Sequence, residues 1–389
     1  MELQIDLTKE YGIVLEGGGA KGSYQIGVWR ALREAGLRIR GIAGASVGAL
    51  NGAMMCMDDM EKAEYIWENI SYSRVMNVED EVMENLIKGN LKSLSLQEIL
   101  GQIVDFLKNR GFDATPLRQM IGEIVDEDKL RNSDRELYVT TYSLTDRKLL
   151  ELDIRDIPEG MIADILLACA YFPAFRVEKV RGKTFVDGAG WNNVPVNMLL
   201  EHGYQDIIVV RIYGLGYDSE RSLEIPDGVN LYHIAPRKDL GGILEFDRKR
   251  SRKNMKMGYF DAKRFLYGLG GRMYYIDAPN SEAYYFDKMM SEAELFACFL
   301  EEILDEELTG LPLSYRMFTE QLFPRTAAAL KLKEGWNYKD FYLVVVEEMA
   351  RRDRINRFAV YTVDELLSKV RKKLTGVPPC SKLIKEEMK

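Results

Sequence analysis

Within its first 57 residues the chain twice repeats one unit: a short apolar run, a glycine-bearing turn and a helix-like segment. The first unit runs Gly12-Ile13-Val14-Leu15, then Gly17-Gly18-Gly19-Ala20-Lys21-Gly22, then a helical pattern from Ser23 to Ala35. The second runs Ile39-Arg40-Gly41-Ile42-Ala43, then Gly44-Ala45-Ser46-Val47-Gly48, then a helix opening near Val47 and continuing through Met57. Strands that alternate with helices at this spacing pair in parallel, because each helix supplies the crossover that returns the chain to the same edge. Two adjacent strand ends would set Ser46 beside a run of backbone N–H groups, two of the parts that acyl transfer needs.

Further strand-like runs lie at residues 137–142, 149–152, 184–186, 207–212 and 231–234. Residues 60–135 read as mostly helical, with breaks near Gly89-Asn90 and between Gly111 and Pro116. After about Ala278 the pattern is helical almost throughout, with Leu295, Phe296, Phe299, Leu300, Ile303 and Leu304 on one stripe. The expected architecture is a three-layer α/β/α sandwich around a mostly parallel sheet. Residues 1–275 would form that domain and residues 276–389 a helical extension, its Pro-containing tail after Gly376 frayed.

The 389 residues carry a net charge of −8, which points away from nucleic acid and mildly repels anionic membranes overall. The N-terminus lacks a basic segment followed by an apolar one, and no window approaches 18 uncharged apolar residues. A cytoplasmic protein with at most peripheral membrane contact is expected. One stretch departs from the acidic average: Arg237 to Arg264 holds ten Lys/Arg against four Asp/Glu. It suits an anionic head group, and the plainer reading is a solvated helix face. Cys56, Cys169, Cys298 and Cys380 have no metal-ligand spacing and read as free buried thiols.

The glycine cluster satisfies G-x-G-x-x-G at Gly17, Gly19 and Gly22, so a dinucleotide site must be weighed. That site wants a carboxylate at the end of the second strand, where this chain has Ala43-Gly44-Ala45-Ser46. A phosphate-binding P-loop wants Gly-Lys-Ser/Thr, and here the order is Lys21-Gly22-Ser23. Consecutive glycines do let N–H groups converge on one small anion, and an oxyanion is such a target. The plainer alternative is a structural turn. For Ser46, G-x-S-x-G at a strand-to-helix junction suits a nucleophile elbow, and the plainer reading is a helix cap. Asp187-Gly188-Ala189-Gly190 follows the strand-like Thr184-Phe185-Val186 and would deliver a carboxylate on a tight turn, or be an ordinary turn Asp.

A serine nucleophile needs a base, and the chain has only His202 and His233. His202 ends a helical run, where the helix dipole accounts for it, and His233 sits in an apolar strand pattern like a packed core residue. The alternative base is Asp187, once burial lifts it from the feeble range of a free carboxylate. Lys21 either adds positive potential or pairs elsewhere. Met54, Met55, Met57 and Met60 either line an acyl channel or pack the core.

Taken together, Gly17-Gly18-Gly19-Ala20-Lys21-Gly22, Gly44-Ala45-Ser46-Val47-Gly48 and Asp187-Gly188-Ala189, in this order, resemble the patatin-like phospholipase family. Its members carry a G-G-G-x-[K/R]-G oxyanion loop, a G-x-S-x-G elbow and a D-G-[A/G] motif. Residues 168–175, Ala-Cys-Ala-Tyr-Phe-Pro-Ala-Phe, and Asn193-Val194-Pro195 are similar to segments flanking the family's aspartate. The resemblance covers roughly residues 10 to 270. It implies a Ser–Asp dyad with Ser46 as nucleophile and Asp187 as proton acceptor, an oxyanion hole at Gly17, Gly18 and Gly19, and hydrolysis of fatty-acyl esters of lipids such as phospholipids or lysophospholipids. No cofactor is implied, and no EF-hand loop or Asp cluster suggests calcium. The competing readings are a histidine-dependent esterase or thioesterase and a non-catalytic lipid-binding protein.

Overall fold

Strands β1 (Glu10–Leu15), β2 (Arg38–Ala45), β3 (Glu136–Ser143), β4 (Lys148–Asp153), β5 (Lys179–Val180), β6 (Lys183–Asp187), β7 (Asp206–Val210) and β8 (Asn230–Ile234) form one sheet in the order β5-β6-β3-β2-β1-β7-β8, with β4 also paired to β3. The structure is a computed structural model and describes residues 1–81, 83, 84, 111–173, 175, 179–306, 308 and 314–374. The expected break at Gly89-Asn90, Ala174, Cys380 and the tail after Gly376 fall outside the described residues.

The centre of the sheet, β3-β2-β1-β7-β8, is parallel, while the pairings β3-β4, β3-β6 and β5-β6 are antiparallel. It is therefore a mostly parallel mixed sheet flanked by helices, as the alternating units require. Parallel strands covered on both faces read as continuous apolar runs, and Asp206-Ile207-Ile208-Val209-Val210 is buried at every position. Successive residues of β2 meet different layers. Ile42 and Leu137 lie against Gly52 of helix α2 (Val47–Cys56), whereas Ala43 joins Val14, Tyr138 and Val209 under Leu199 of the helix Val196–Glu201. All ten residues of α2 are buried, which accounts for a helix that is apolar all round.

This sheet and its helices belong to a unit spanning residues 5–263; residues from 264 onward, with the first four, form a second unit. The second unit is built on helices Glu282–Ser291, Ala293–Leu304, Tyr338–Arg352 and Val363–Leu374, with a core including Tyr285, Phe296, Phe299, Phe341 and Leu366. The apolar stripe from Leu295 to Leu304 packs there, and Phe296, Phe299 and Leu300 are its buried members. One strand falls within the stretch expected to be helical: β10 (Val360–Thr362), which pairs in parallel with β9 (Tyr275–Asp277) just ahead of it. Three residues are too few for an alternating pattern to register. Buried Glu347 pins the turn before β9 by accepting from the N–H groups of Arg272, Met273 and Tyr274 at 2.9, 3.0 and 2.7 Å. Cys56 and Cys169 are free and buried as expected, but Cys298 is disulfide-bonded and not a free thiol.

Candidate active site

Ser46 caps α2 with φ 52° and ψ −126°, a backbone conformation that costs an ordinary residue on the order of 1–3 kcal/mol. The flanking glycines let the chain turn that sharply. A Cβ on Gly44 would lie 2.4 Å from the Gly48 carbonyl oxygen, and one on Gly48 would lie 2.2 Å from that of Leu15. The elbow expected from G-x-S-x-G is present, with the positive end of α2 directed at it.

Asp187 reaches Ser46 through the register of β3. Along one edge β3 pairs with β4 throughout, from Tyr138↔Asp153 to Ser143↔Lys148. On the other edge β2 ends at Ala45↔Thr140, and β6 takes over at Thr141↔Asp187. Two strands thus meet end to end against a third, and the residue after Ala45 faces the last residue of β6. Gly188 is required at the junction, since a Cβ there would lie 2.6 Å from Thr140 Oγ1. The Asp187 carboxylate is 7% exposed and accepts from the Ala189 N–H at 2.9 Å. Burial pushes its pKa up from 3.8 to about 6, against the opposing hydrogen bonds from the Ser46 side chain and the Ala189 N–H.

The glycine loop is held from both sides. Gly17 donates its N–H to the Asn193 carbonyl at 3.2 Å, so that donor is already committed. Ala20 donates to Ile243 O and Lys21 to Gly18 O, while the N–H groups of Gly18 and Gly19 have no acceptor among the described residues. Gly19 has φ 56°, and a Cβ there would lie 2.2 Å from Ile243 O, so only glycine fits. Of the N–H groups of Gly17 to Gly19, two are therefore free among the described residues. Lys21 Nζ donates to the Tyr213 carbonyl at 2.6 Å, which fixes its ammonium against the neighbouring turn.

That turn is organised by Glu16, which the motif reading passes over. Its carboxylate, 2% exposed, accepts from the N–H groups of Ile212, Tyr213 and Gly214 at 2.6, 3.0 and 3.2 Å and from Arg211 Nε at 3.1 Å. Arg211 in turn holds Asp218 and Glu220, both at 2.7 Å. Gly214 packs so closely on the loop that a Cβ would lie 1.8 Å from Gly17 O. The legible signal was a carboxylate placed directly after an otherwise apolar buried strand, where it must find donors.

Ser46, Asp187, Gly18 and Gly19 open on a predominantly apolar cavity. Val47, Leu50, Met54, Trp67, Met120 and Phe175 are among its lining. Of the methionines after the elbow, Met54 faces this cavity while Met55 and Met60 are buried core. Asn51, a further polar residue of the wall, is engaged with Gly22 O, Gln25 and Trp67 Nε1. Neither histidine lines the cavity. His202 bonds Met198 O at 2.6 Å, at the helix end where the sequence suggested it would be satisfied. His233, expected as a packed core residue, has a 45% exposed side chain paired with Glu220, because β8 is the edge strand. Cys169 is no competing nucleophile, since burial and the nearby Asp187 charge push its thiol well above the ordinary range. Among the described residues no cluster of His, Cys, Asp or Glu could hold a metal ion, and no helix is long and apolar enough to cross a membrane.

Residues 13–200, which contain the glycine loop, the elbow and Asp187, match the family model described as patatin-like phospholipase. That span is similar to a patatin-like phospholipase domain. Curated relatives include lysophospholipase nte1 of Aspergillus terreus, 52% identical over 50 residues, and neuropathy target esterase sws of Drosophila sechellia, 49% identical over 47 residues. Those alignments cover 13% and 12% of this chain, and the chain spans about 3% of the length of either relative. Among solved structures, VipD from Legionella pneumophila is similar over 96% of this chain and 89% of its own, at 13% identity and a TM-score of 0.40. Full-length ExoU, solved with SpcU from the type III secretion system of Pseudomonas aeruginosa, is similar over 88% of this chain and 77% of its own, at 14% identity and a TM-score of 0.34.

Proposed function

We propose that the protein is a serine acyl hydrolase of lipid esters, phospholipids or lysophospholipids, working through Ser46 and Asp187. The observation that carries this reading is a strained serine and a buried, base-like carboxylate brought together on the wall of an apolar cavity. In the first half-reaction Ser46 Oγ attacks the ester carbonyl and its proton passes to Asp187. The N–H groups of Gly18 and Gly19 receive the oxyanion; a donor of this kind is worth about 2.7–4 kcal/mol in the transition state. Collapse breaks the ester C–O bond, and the departing alkoxide takes the proton from Asp187. In the second half-reaction water gives a proton to Asp187, attacks the acyl-Ser46 carbonyl and releases the fatty acid, and Ser46 recovers the proton. A carboxylate with a pKa near 6 is mostly ionised at pH 7 and yet a far better proton acceptor than a free Asp.

The apolar lining supports an acyl chain as the group bound beside Ser46. Residues 1–275 would carry the activity, with 276–389 as an appended helical region, in a cytoplasmic protein that touches membranes peripherally. The histidine-dependent alternative is disfavoured because His202 and His233 both bond elsewhere and lie off the cavity. The test is covalent labelling by a fluorophosphonate probe together with product analysis on mixed phospholipids, lysophospholipids and triacylglycerols. Labelling at Ser46 and fatty-acid release, both lost in Ser46→Ala, are expected. Ester hydrolysis by Ser46→Ala at the parent rate would sink the proposal in favour of a binding protein or another nucleophile.

A further inference from the structure

Most of the basic stretch noted in the sequence folds into a helix, Arg248–Tyr267, labelled α4 beside α1 (Ser23–Glu34), α2 and α3 (Val196–Glu201). Five of its cations, Arg248, Lys249, Arg252, Lys253 and Lys256, are exposed, and none has an ion-pair partner among the described residues. Arg250 is the exception, paired with Glu245 at 3.1 Å. No acidic residue occurs on the helix before Asp261. At 3.6 residues per turn the five fall within about 140° of arc. The opposite side is buried: Ser251 donates to Trp67 O, Asn254 to Leu240 O, and a Cβ on Gly258 would lie 2.0 Å from Tyr24 O. The cations therefore project away from the body they are built on. An acidic protein that concentrates five unpaired cations on one exposed face has a surface that orients in an anionic field.

Its position relative to the cavity is set by the glycine loop. Ile243, Leu244 and Phe246, in the segment that leads into α4, line the cavity, and Gly19 packs on Ile243 O. On the other flank of the same loop Gly18 packs on Gly214, and Leu215 both lines the cavity and is 73% exposed. Tyr213 and Tyr217 beside it are also exposed, the residue types that favour a head-group layer. We propose that the cationic face of α4 docks on anionic phospholipid bilayers, with the Tyr213-Leu215-Tyr217 turn seated in the head-group layer, so that the cavity mouth meets its substrate at the membrane. This rests on the lipid-hydrolase reading, which selects a bilayer over an acidic protein or nucleic acid as the occupant.

The test uses full-length Ser46→Ala, which cannot consume the lipid, sedimented with large vesicles of phosphatidylcholine alone or with about 30% phosphatidylglycerol. The expected result is strong binding to the anionic vesicles only, weakened by raised salt. Adding Arg252→Glu, Lys253→Glu and Lys256→Glu should weaken that binding more than about a hundredfold, since each cation lost near such a surface costs about fivefold and each added carboxylate is repelled. The same triple change in the Ser46 enzyme should leave hydrolysis of a monomeric short-chain p-nitrophenyl ester intact. Equal binding to neutral and anionic vesicles, unchanged binding in the triple variant, or capture of an oligonucleotide in place of vesicles would overturn the docking proposal. Charge-dependent vesicle binding by a protein whose Ser46 form hydrolyses no soluble ester would instead overturn the hydrolase reading and leave docking standing.

Discussion

Asp187→Asn should inactivate the enzyme and stabilise the fold, and the two effects should part company with pH. The carboxyl is buried, with its pKa raised from 3.8 to about 6. A raised carboxyl pKa means that the native state holds its proton more tightly than the unfolded chain. Below about pH 4 both states are protonated and nothing is lost. As pH rises from 4 through 6 the unfolded chain ionises first, and the native state is penalised until its own carboxyl ionises. Above that point the penalty is constant at about 3 kcal/mol, from 1.36 kcal/mol per tenfold change in acidity. Asparagine fills the same space, keeps its oxygen for the Ala189 N–H and can donate its amide N–H to Ser46 Oγ, but carries no charge to desolvate. Denaturant unfolding of the two proteins at pH 8 and at pH 3.5 measures the difference. The variant should be more stable by about 3 kcal/mol at pH 8, the gap closing towards zero at the acid end. Ester hydrolysis should fall by about 10² to 10⁴, the range for loss of a general base. In the parent, activity should drop about tenfold per pH unit below 6, since only the ionised carboxylate accepts a proton. A variant no more stable than the parent at pH 8, or a gap independent of pH, would refute the argument that Asp187 is held as a desolvated base.

Glu16→Gln should lower kcat at least tenfold with a smaller change in KM, because an amide N–H would face the Ile212–Gly214 donors and loosen the turn that braces the glycine loop. Steady-state kinetics on a soluble ester decides it, and activity within twofold of the parent would remove Glu16 from the positioning of that loop. Met54→Trp narrows the cavity and should cut kcat/KM for long-chain esters far more than for short-chain ones, by about fourfold for each methylene excluded. A chain-length series of p-nitrophenyl esters is the measurement, and a uniform loss across the series would mean that the acyl chain lies elsewhere.

Much of the site is contiguous in the chain, and that part was legible. The strand–turn–helix repeat implies a parallel sheet, the glycines at positions 44 and 48 permit a sharp elbow at Ser46, and Gly19 needs to be glycine because of its positive φ. These follow from neighbouring residues and from the few backbone shapes open to them. The sequence motif could not say which of the three loop N–H groups remain free, nor that Lys21 bonds the Tyr213 carbonyl. It was also silent on Glu16, whose partners lie nearly 200 residues away. Above all, Ser46 and Asp187 are separated by more than a hundred residues, and no local pattern places one beside the other. What joins them is the edge of β3, where Thr140 takes the last residue of β2 and Thr141 takes Asp187. The sheet register sets that contact, and the apolar packing around it gives the carboxylate its raised pKa. Sequence alone determined which groups were available for chemistry. Tertiary structure decided which of them meet, and in how little water, because distance and desolvation are properties of the packed chain.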